Sequence, residues 1–262
     1  MKRAIIVGLA GILWLAAAPV ARPQTPTLAD QLPNLVPLAP EDIEIRQVDG
    51  GGEPALRFSV WIANEGDYAF ELVARAQDYS ARSDALAEQC IAWAGPRACT
   101  ERRSIGTLSY HQAHGHYHFE DFALYELRRV AAPGRPDMSE RGLVRTSEKV
   151  SFCLQDVQRR DGVDPLYATP WPLYYGCFAG QGVQGISPGW VDIYSWGTPG
   201  QQIPLKGIAD GTYALVLYTD PGNRVFETND SDNMSIAIVD LLRGGKKVRV
   251  VCTSPPGTLS CG

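Results

Sequence analysis

The chain reads as an all-β protein, a β-sandwich with long irregular loops and few helices. Three observations predict this. Apolar residues alternate strictly with others at Leu56, Phe58, Val60 and Ile62, and again at Tyr213, Leu215 and Leu217, the period of two that a strand requires. Turn-forming stretches rich in Gly, Pro, Asn and Asp separate short runs of β-branched and aromatic residues. Helical periodicity is nearly absent, so packed sheets are the remaining way to bury the apolar face of each segment.

In order along the chain, Met1-Lys2-Arg3, an apolar run from Ala4 to Leu15, and Ala16-Ala17-Ala18 have the layout of a signal peptide, assigned to residues 1–21. Residues 22–31 are Pro- and Thr-rich and read as a flexible tether, and 32–262 as a single domain. Ile43 to Gln47 is a short alternating segment, and Asp49-Gly-Gly-Gly-Glu-Pro is a turn. Leu56 to Asn64 is a half-buried strand, with Tyr68-Ala-Phe-Glu-Leu-Val expected as its hairpin partner across Asn64-Glu-Gly-Asp. Further strands are expected at Phe122–Leu127, Lys149–Asp156, Trp190–Tyr194, Gly211–Asp220 and Asn233–Asp240. The acidic stretch Glu227, Asp230, Asp232, Asn233 reads as a solvated turn in preference to a calcium site.

Charge and cysteines bound the function. A net charge of −5 leaves no basic footprint for phosphate, so no nucleic-acid partner is expected. No stretch after the leader is long and apolar enough to span a bilayer, and no stable membrane insertion is expected after cleavage. The six cysteines fit an exported chain, secreted or periplasmic. Six allow 15 connectivities, of which the pairing of sequence neighbours (Cys90–Cys99, Cys153–Cys177, Cys252–Cys261) is the simplest.

All four histidines lie in His111-Gln-Ala-His114-Gly-His116-Tyr-His118. On a strand, His114, His116 and His118 would project from one face and converge as imidazole ligands for copper, zinc, iron or nickel. Spacing alone does not choose among them. His111, an odd number of positions away, is expected to face the other way unless a bulge intervenes.

Three motifs together resemble the catalytic domain of the lysyl oxidases, which are copper-dependent amine oxidases. The histidine block is similar to the family's copper-binding block, and the resemblance makes His114, His116 and His118 the copper ligands. Lys149-Val-Ser-Phe-Cys-Leu-Gln-Asp156 resembles the segment whose lysine enters a lysine tyrosylquinone cofactor, and Gly185-Ile-Ser-Pro-Gly-Trp-Val-Asp-Ile-Tyr194 resembles the one that supplies the tyrosine. Cys153 and Cys177 also match family positions. The sequence departs from the animal pattern at Ala113 and Trp190, where cysteines stand in the family, and by one residue missing between His118 and Phe122. It resembles a compact bacterial-type member without the animal accessory domains.

The resemblance implies oxidative deamination of a primary amine, including peptidyl lysine, with dioxygen as co-substrate and aldehyde, ammonia and hydrogen peroxide as products. Beyond the leader, the chain has four lysines, Lys149, Lys206, Lys246 and Lys247, in a basic complement otherwise made of arginines that cannot act as nucleophiles. Asp192, two residues before Tyr194 and so on its strand face, is the expected catalytic base, with Asp156 a weaker candidate. The alternatives are an exported copper-binding β-sandwich without enzymatic activity, which would need only the histidines, and an adhesion module with a structural metal.

Overall fold

The computed structural model describes residue 27 and residues 31–47, 52–74, 81–95, 97–112, 115–147, 151–177 and 182–261. The expected signal peptide, nearly all of the tether, the turn after Gln47, His114 and Lys149 lie outside the described residues.

The protein is all-β, with its strands in three antiparallel sheets. The first is built around β3 (Pro54–Asn64), which pairs with β1 (Leu35–Pro37), β2 (Glu41–Gln47), β13 (Trp190–Tyr194) and β14 (Gln202–Pro204); β11 (Gln158–Arg159) extends it from β13. The second has the order β12 (Val183–Ile186), β4 (Phe70–Ala74), β5 (Ala85–Trp93), β6 (Cys99–His111), β7 (His116–Phe119). The third runs β10 (Leu143–Thr146), β8 (Ala123–Ala132), β15 (Gly211–Thr219), β16 (Met234–Leu242), β17 (Lys247–Thr253), with β9 (Arg135–Pro136) on β8. Among the described residues no helix is long and apolar enough to cross a membrane.

All three sheets feed one core. Leu56, Phe58, Val60 and Ile62 of β3 meet Phe70 and Leu72 of β4, Leu108 and Phe119 of β6 and β7, and Tyr125, Leu127, Leu215 and Leu217 of β8 and β15. The predicted inward set on β3 is therefore correct. The strand is not half-buried, however: Arg57 and Ser59 on its other face are also covered, because β3 is central and loops close over both faces. Arg57 is held there by donation to the Trp196 carbonyl at 3.1 Å.

The expected hairpin between β3 and β4 does not form. β4 pairs with β12 and β5 instead, so the chain crosses from one sheet to another after Asn64. Fully buried Asn64 makes this crossing possible. Its side-chain oxygen accepts from the Asn34 and Gly66 amides, and its NH2 donates to the Tyr68 and Ile186 carbonyls at 2.8 and 2.9 Å. Every hydrogen-bonding position of the amide is used, which offsets its desolvation. Three disulfides, Cys90–Cys99, Cys153–Cys177 and Cys252–Cys261, pair each cysteine with its sequence neighbour, as the simplest connectivity predicts.

β15 and β16 pair with each other, and Asp220-Pro-Gly-Asn is only the start of their connection. The stretch to Asn233 contains a short 3-10 turn, Asp230–Asp232, and is not a simple solvated turn. Glu227 is folded inward, accepting from the Leu35 amide at 2.8 Å and the Asn233 side chain at 2.6 Å. Burial, helped by the charges of Asp220 and Asp230, outweighs these bonds and pushes its carboxyl up to about 8.

A carboxyl whose folded pKa is raised stabilises the fold while protonated, fully below its unfolded value of 4.5, and loses that contribution as pH rises through about 8. Glu227→Gln should remove this dependence. Its stability relative to the parent chain should improve between pH 5 and 8.5 by on the order of a few kcal/mol, read by urea denaturation. A difference that stays constant with pH would contradict the assignment.

Candidate active site

The histidine stretch folds as the β6–β7 hairpin, with Ser109 opposite His118, Tyr110 opposite Tyr117, and His111 opposite His116. Directly opposed residues of an antiparallel pair project from the same face. His111 therefore shares the face of His116 and His118, contrary to the sequence expectation. Counting positions along the chain fails across a reversal; the turn between His111 and His116 resets the parity. The His111 ring stacks on that of His118 with centroids 3.9 Å apart, and its Nε2 lies 3.6 Å from Glu120 Oε1.

His116 and His118 are adjacent on one face of β7, and their Nε2 atoms are 2.9 Å apart. Two imidazole nitrogens this close can serve one ion as neighbouring ligands, a role imidazole fills for copper, zinc, iron and nickel alike. The donor set fits copper. One other grouping of ligand-type residues occurs among the described residues, Glu71 with Cys90 and Cys99. Both sulfurs there are bridged, so neither is a thiolate.

The second motif is fastened to the histidine strand by backbone. Phe119 and Phe152 exchange amide–carbonyl hydrogen bonds at 2.6 and 3.2 Å. Gln184 adds a bridge, accepting from the Leu154 amide at 3.1 Å and donating to the Tyr117 carbonyl at 2.6 Å. Ser151 consequently sits at His118, with Oγ 3.4 Å from Nδ1. On the other side of this segment the Phe152 ring lies 3.9 Å from that of Tyr194, whose hydroxyl donates to the Cys153 carbonyl. His116, His118, Ser151 and Tyr194 thus belong to one neighbourhood.

Tyr194 and Asp192 lie opposite Val60 and Ile62 of β3, and so share the core-facing side of β13, as predicted. Asp192 is fully buried, and neither carboxylate oxygen accepts a well-formed hydrogen bond from the described residues. Burial raises its carboxyl well above the usual range; the nearby Tyr194 hydroxyl and Gln155 amide oppose the shift without cancelling it. The Tyr194 phenol is also pushed up, first by burial and then by the charge of Asp192. A desolvated carboxyl beside an aromatic ring has the proton affinity that a general base needs.

Asp156, the other candidate base, is committed elsewhere. It accepts from the Leu173 amide at 2.7 Å, the Tyr174 amide at 3.1 Å, the Ser187 amide at 2.7 Å and the Ser187 hydroxyl at 2.6 Å. These bonds tie the lysine-bearing motif to the tyrosine-bearing one and to the loop closed by Cys153–Cys177. Gly185 lets the motifs pack this closely, since a Cβ there would stand 2.3 Å from the Phe70 carbonyl oxygen and 2.9 Å from the Tyr174 ring.

Sequence reasoning missed two polar neighbours of Asp192 and Tyr194. Tyr125 and Gln201 are fully buried. Gln201 is the polar neighbour of the Tyr125 hydroxyl, and Asp192 lies within electrostatic reach of it. The available signal was a tyrosine at an inward strand position, where phenylalanine would bury the same ring without a hydroxyl. Gln201, in a turn, gave none.

Comparison with known proteins agrees with this geometry. The lysyl oxidase family model matches residues 88–251, well over half of the chain. Lysyl oxidase homolog 4 of Mus musculus is 30% identical over 126 residues, covering 48% of this chain and 14% of that protein. Protein-lysine 6-oxidase of Gallus gallus is 31% identical over 126 residues (48% and 26%), and lysyl oxidase homolog 1 of Homo sapiens 28% over 160 (61% and 25%). The chain that these comparisons meet is all-β, with a histidine hairpin, a partly buried tyrosine and a buried carboxylate. The chain belongs to the lysyl oxidase family, though the match takes in no more than 26% of the length of these three relatives.

Asp156→Ala would leave the Leu173, Tyr174 and Ser187 donors without their acceptor. It should cost about 3 kcal/mol or more in urea denaturation. A loss below about 1 kcal/mol would mean that the junction is held by other contacts.

Proposed function

We propose that this protein is an exported, copper-dependent amine oxidase whose quinone cofactor is made from Lys149 and Tyr194. The observation that carries the reading is the backbone junction at Phe119 and Phe152, which joins a copper-compatible histidine pair to the segment touching Tyr194. Three disulfides and the apolar leader support export.

His114, His116 and His118 would hold the copper. Copper and a quinone held there would supply the redox chemistry that couples oxidation of an amine to reduction of dioxygen. The net reaction converts a primary amine, dioxygen and water to an aldehyde, ammonia and hydrogen peroxide.

The chain's own residues do the rest. Lys149, in its uncharged form, would add through Nζ to the oxidised Tyr194 ring in place of a ring hydrogen, with dioxygen taking two electrons and two protons from the adduct to restore the quinone level; desolvation of the amine favours the addition. Asp192, buried beside Tyr194, removes the proton from the substrate carbon that bears nitrogen. The Cys153 carbonyl orients the Tyr194 hydroxyl until the ring is modified. Primary amines, peptidyl lysine among them, are the substrate class, and the acidic surface favours their cationic forms.

Lys149→Arg keeps the positive charge but lacks a nucleophilic amine. It should bind copper as the parent chain does and release no peroxide from primary amines, at least a hundredfold below the parent rate. Full activity in this variant would refute the cofactor assignment. Copper binding without peroxide release in the parent chain would favour a copper carrier.

A further inference from the structure

His111 is not needed for the three-histidine copper set, yet it occupies the same face, stacked on His118 at 3.9 Å and opposite His116. The two rings differ in access. His118 is 5% exposed, whereas 37% of the His111 side chain and 31% of the Glu120 side chain beside it are open to solvent. His111 and the half-buried His116 are therefore the described histidines beside His118 that an entering ion can reach from solvent.

We propose that His111 and Glu120 form a capture step for copper, through which the ion passes to His116 and His118. This rests on the copper reading of the site. Stacking with centroids 3.9 Å apart keeps the His111 and His118 rings within a few ångströms of each other. An ion held at the edge of His111 can then engage His118 before it leaves His111, losing its carrier's ligands one at a time. Glu120, 3.6 Å from His111 Nε2, adds negative charge that draws a divalent cation to this edge. No oxidation or reduction of the ion is involved, only exchange of ligands. The arrangement predicts that His111 governs the rate of loading and contributes little to the finished site.

His111→Phe separates this role from packing, because phenylalanine keeps the stack and lacks the nitrogen. Metal-depleted full-length protein is mixed with copper(II) chloride in excess glycine, and samples are quenched with chelator at intervals. Protein-bound copper is counted by atomic absorption. The variant should load at least tenfold more slowly than the parent, yet reach the same final copper content with an unchanged paramagnetic resonance spectrum. Glu120→Gln, a change at the surface, should slow loading severalfold at low ionic strength and much less at high salt. Loading of His111→Phe within twofold of the parent rate would overturn the proposal. So would a lowered final copper content or an altered spectrum, either of which makes His111 a permanent ligand. If the parent chain takes up no copper, the copper reading fails as well, an outcome distinct from equal rates in parent and variant.

Discussion

Two backbone hydrogen bonds between Phe119 and Phe152 organise the site. Phe119 ends the histidine strand, and Phe152 lies inside the motif that begins at Lys149. Once they pair, Ser151 must reach His118 and the Cys153 carbonyl must reach Tyr194. Both rings are fully buried and pack with Phe122 in one aromatic cluster, with Phe70 against Phe119 and Tyr125 against Phe152. Aromatic burial of this kind contributes several kcal/mol per ring, enough to hold polar chemistry at its margin. The junction is therefore fixed by the core.

The two buried aspartates illustrate opposite uses of burial. Both have carboxyls raised by desolvation. Asp156 accepts four hydrogen bonds and serves as a joint between motifs. Asp192 has no such set, and its burial beside Tyr194 and near Tyr125 costs stability that no well-formed hydrogen bond among the described residues offsets. The motifs ranked Asp192 above Asp156 but did not show what holds each carboxylate. The separation comes from which backbone amides happen to point at each carboxylate.

Local pattern made much of this fold legible. Alternation at Leu56–Ile62 and Tyr213–Leu217 identified core strands, because side-chain direction depends only on neighbouring backbone. Pairing was less accessible: nothing local in Tyr68–Val73 states that it joins β5 and β12 and not β3, a choice made by Asn64 and the packing of distant strands. His111 was misplaced for a similar reason, since its face depends on where the chain reverses. Asp192 and Tyr194 were legible together because they sit two apart on one strand. Gln201 approaches the site from a turn whose path only the tertiary structure sets.

The central claim is that the folded neighbourhood of His116, His118 and Tyr194 is a place where Lys149 becomes bonded to Tyr194. Peptide mapping of copper-loaded, aerated protein by mass spectrometry tests it most directly. The account predicts a cross-linked species containing the peptides of Lys149 and Tyr194, absent from protein kept free of copper. Recovery of both peptides unmodified after copper loading and aeration would contradict it.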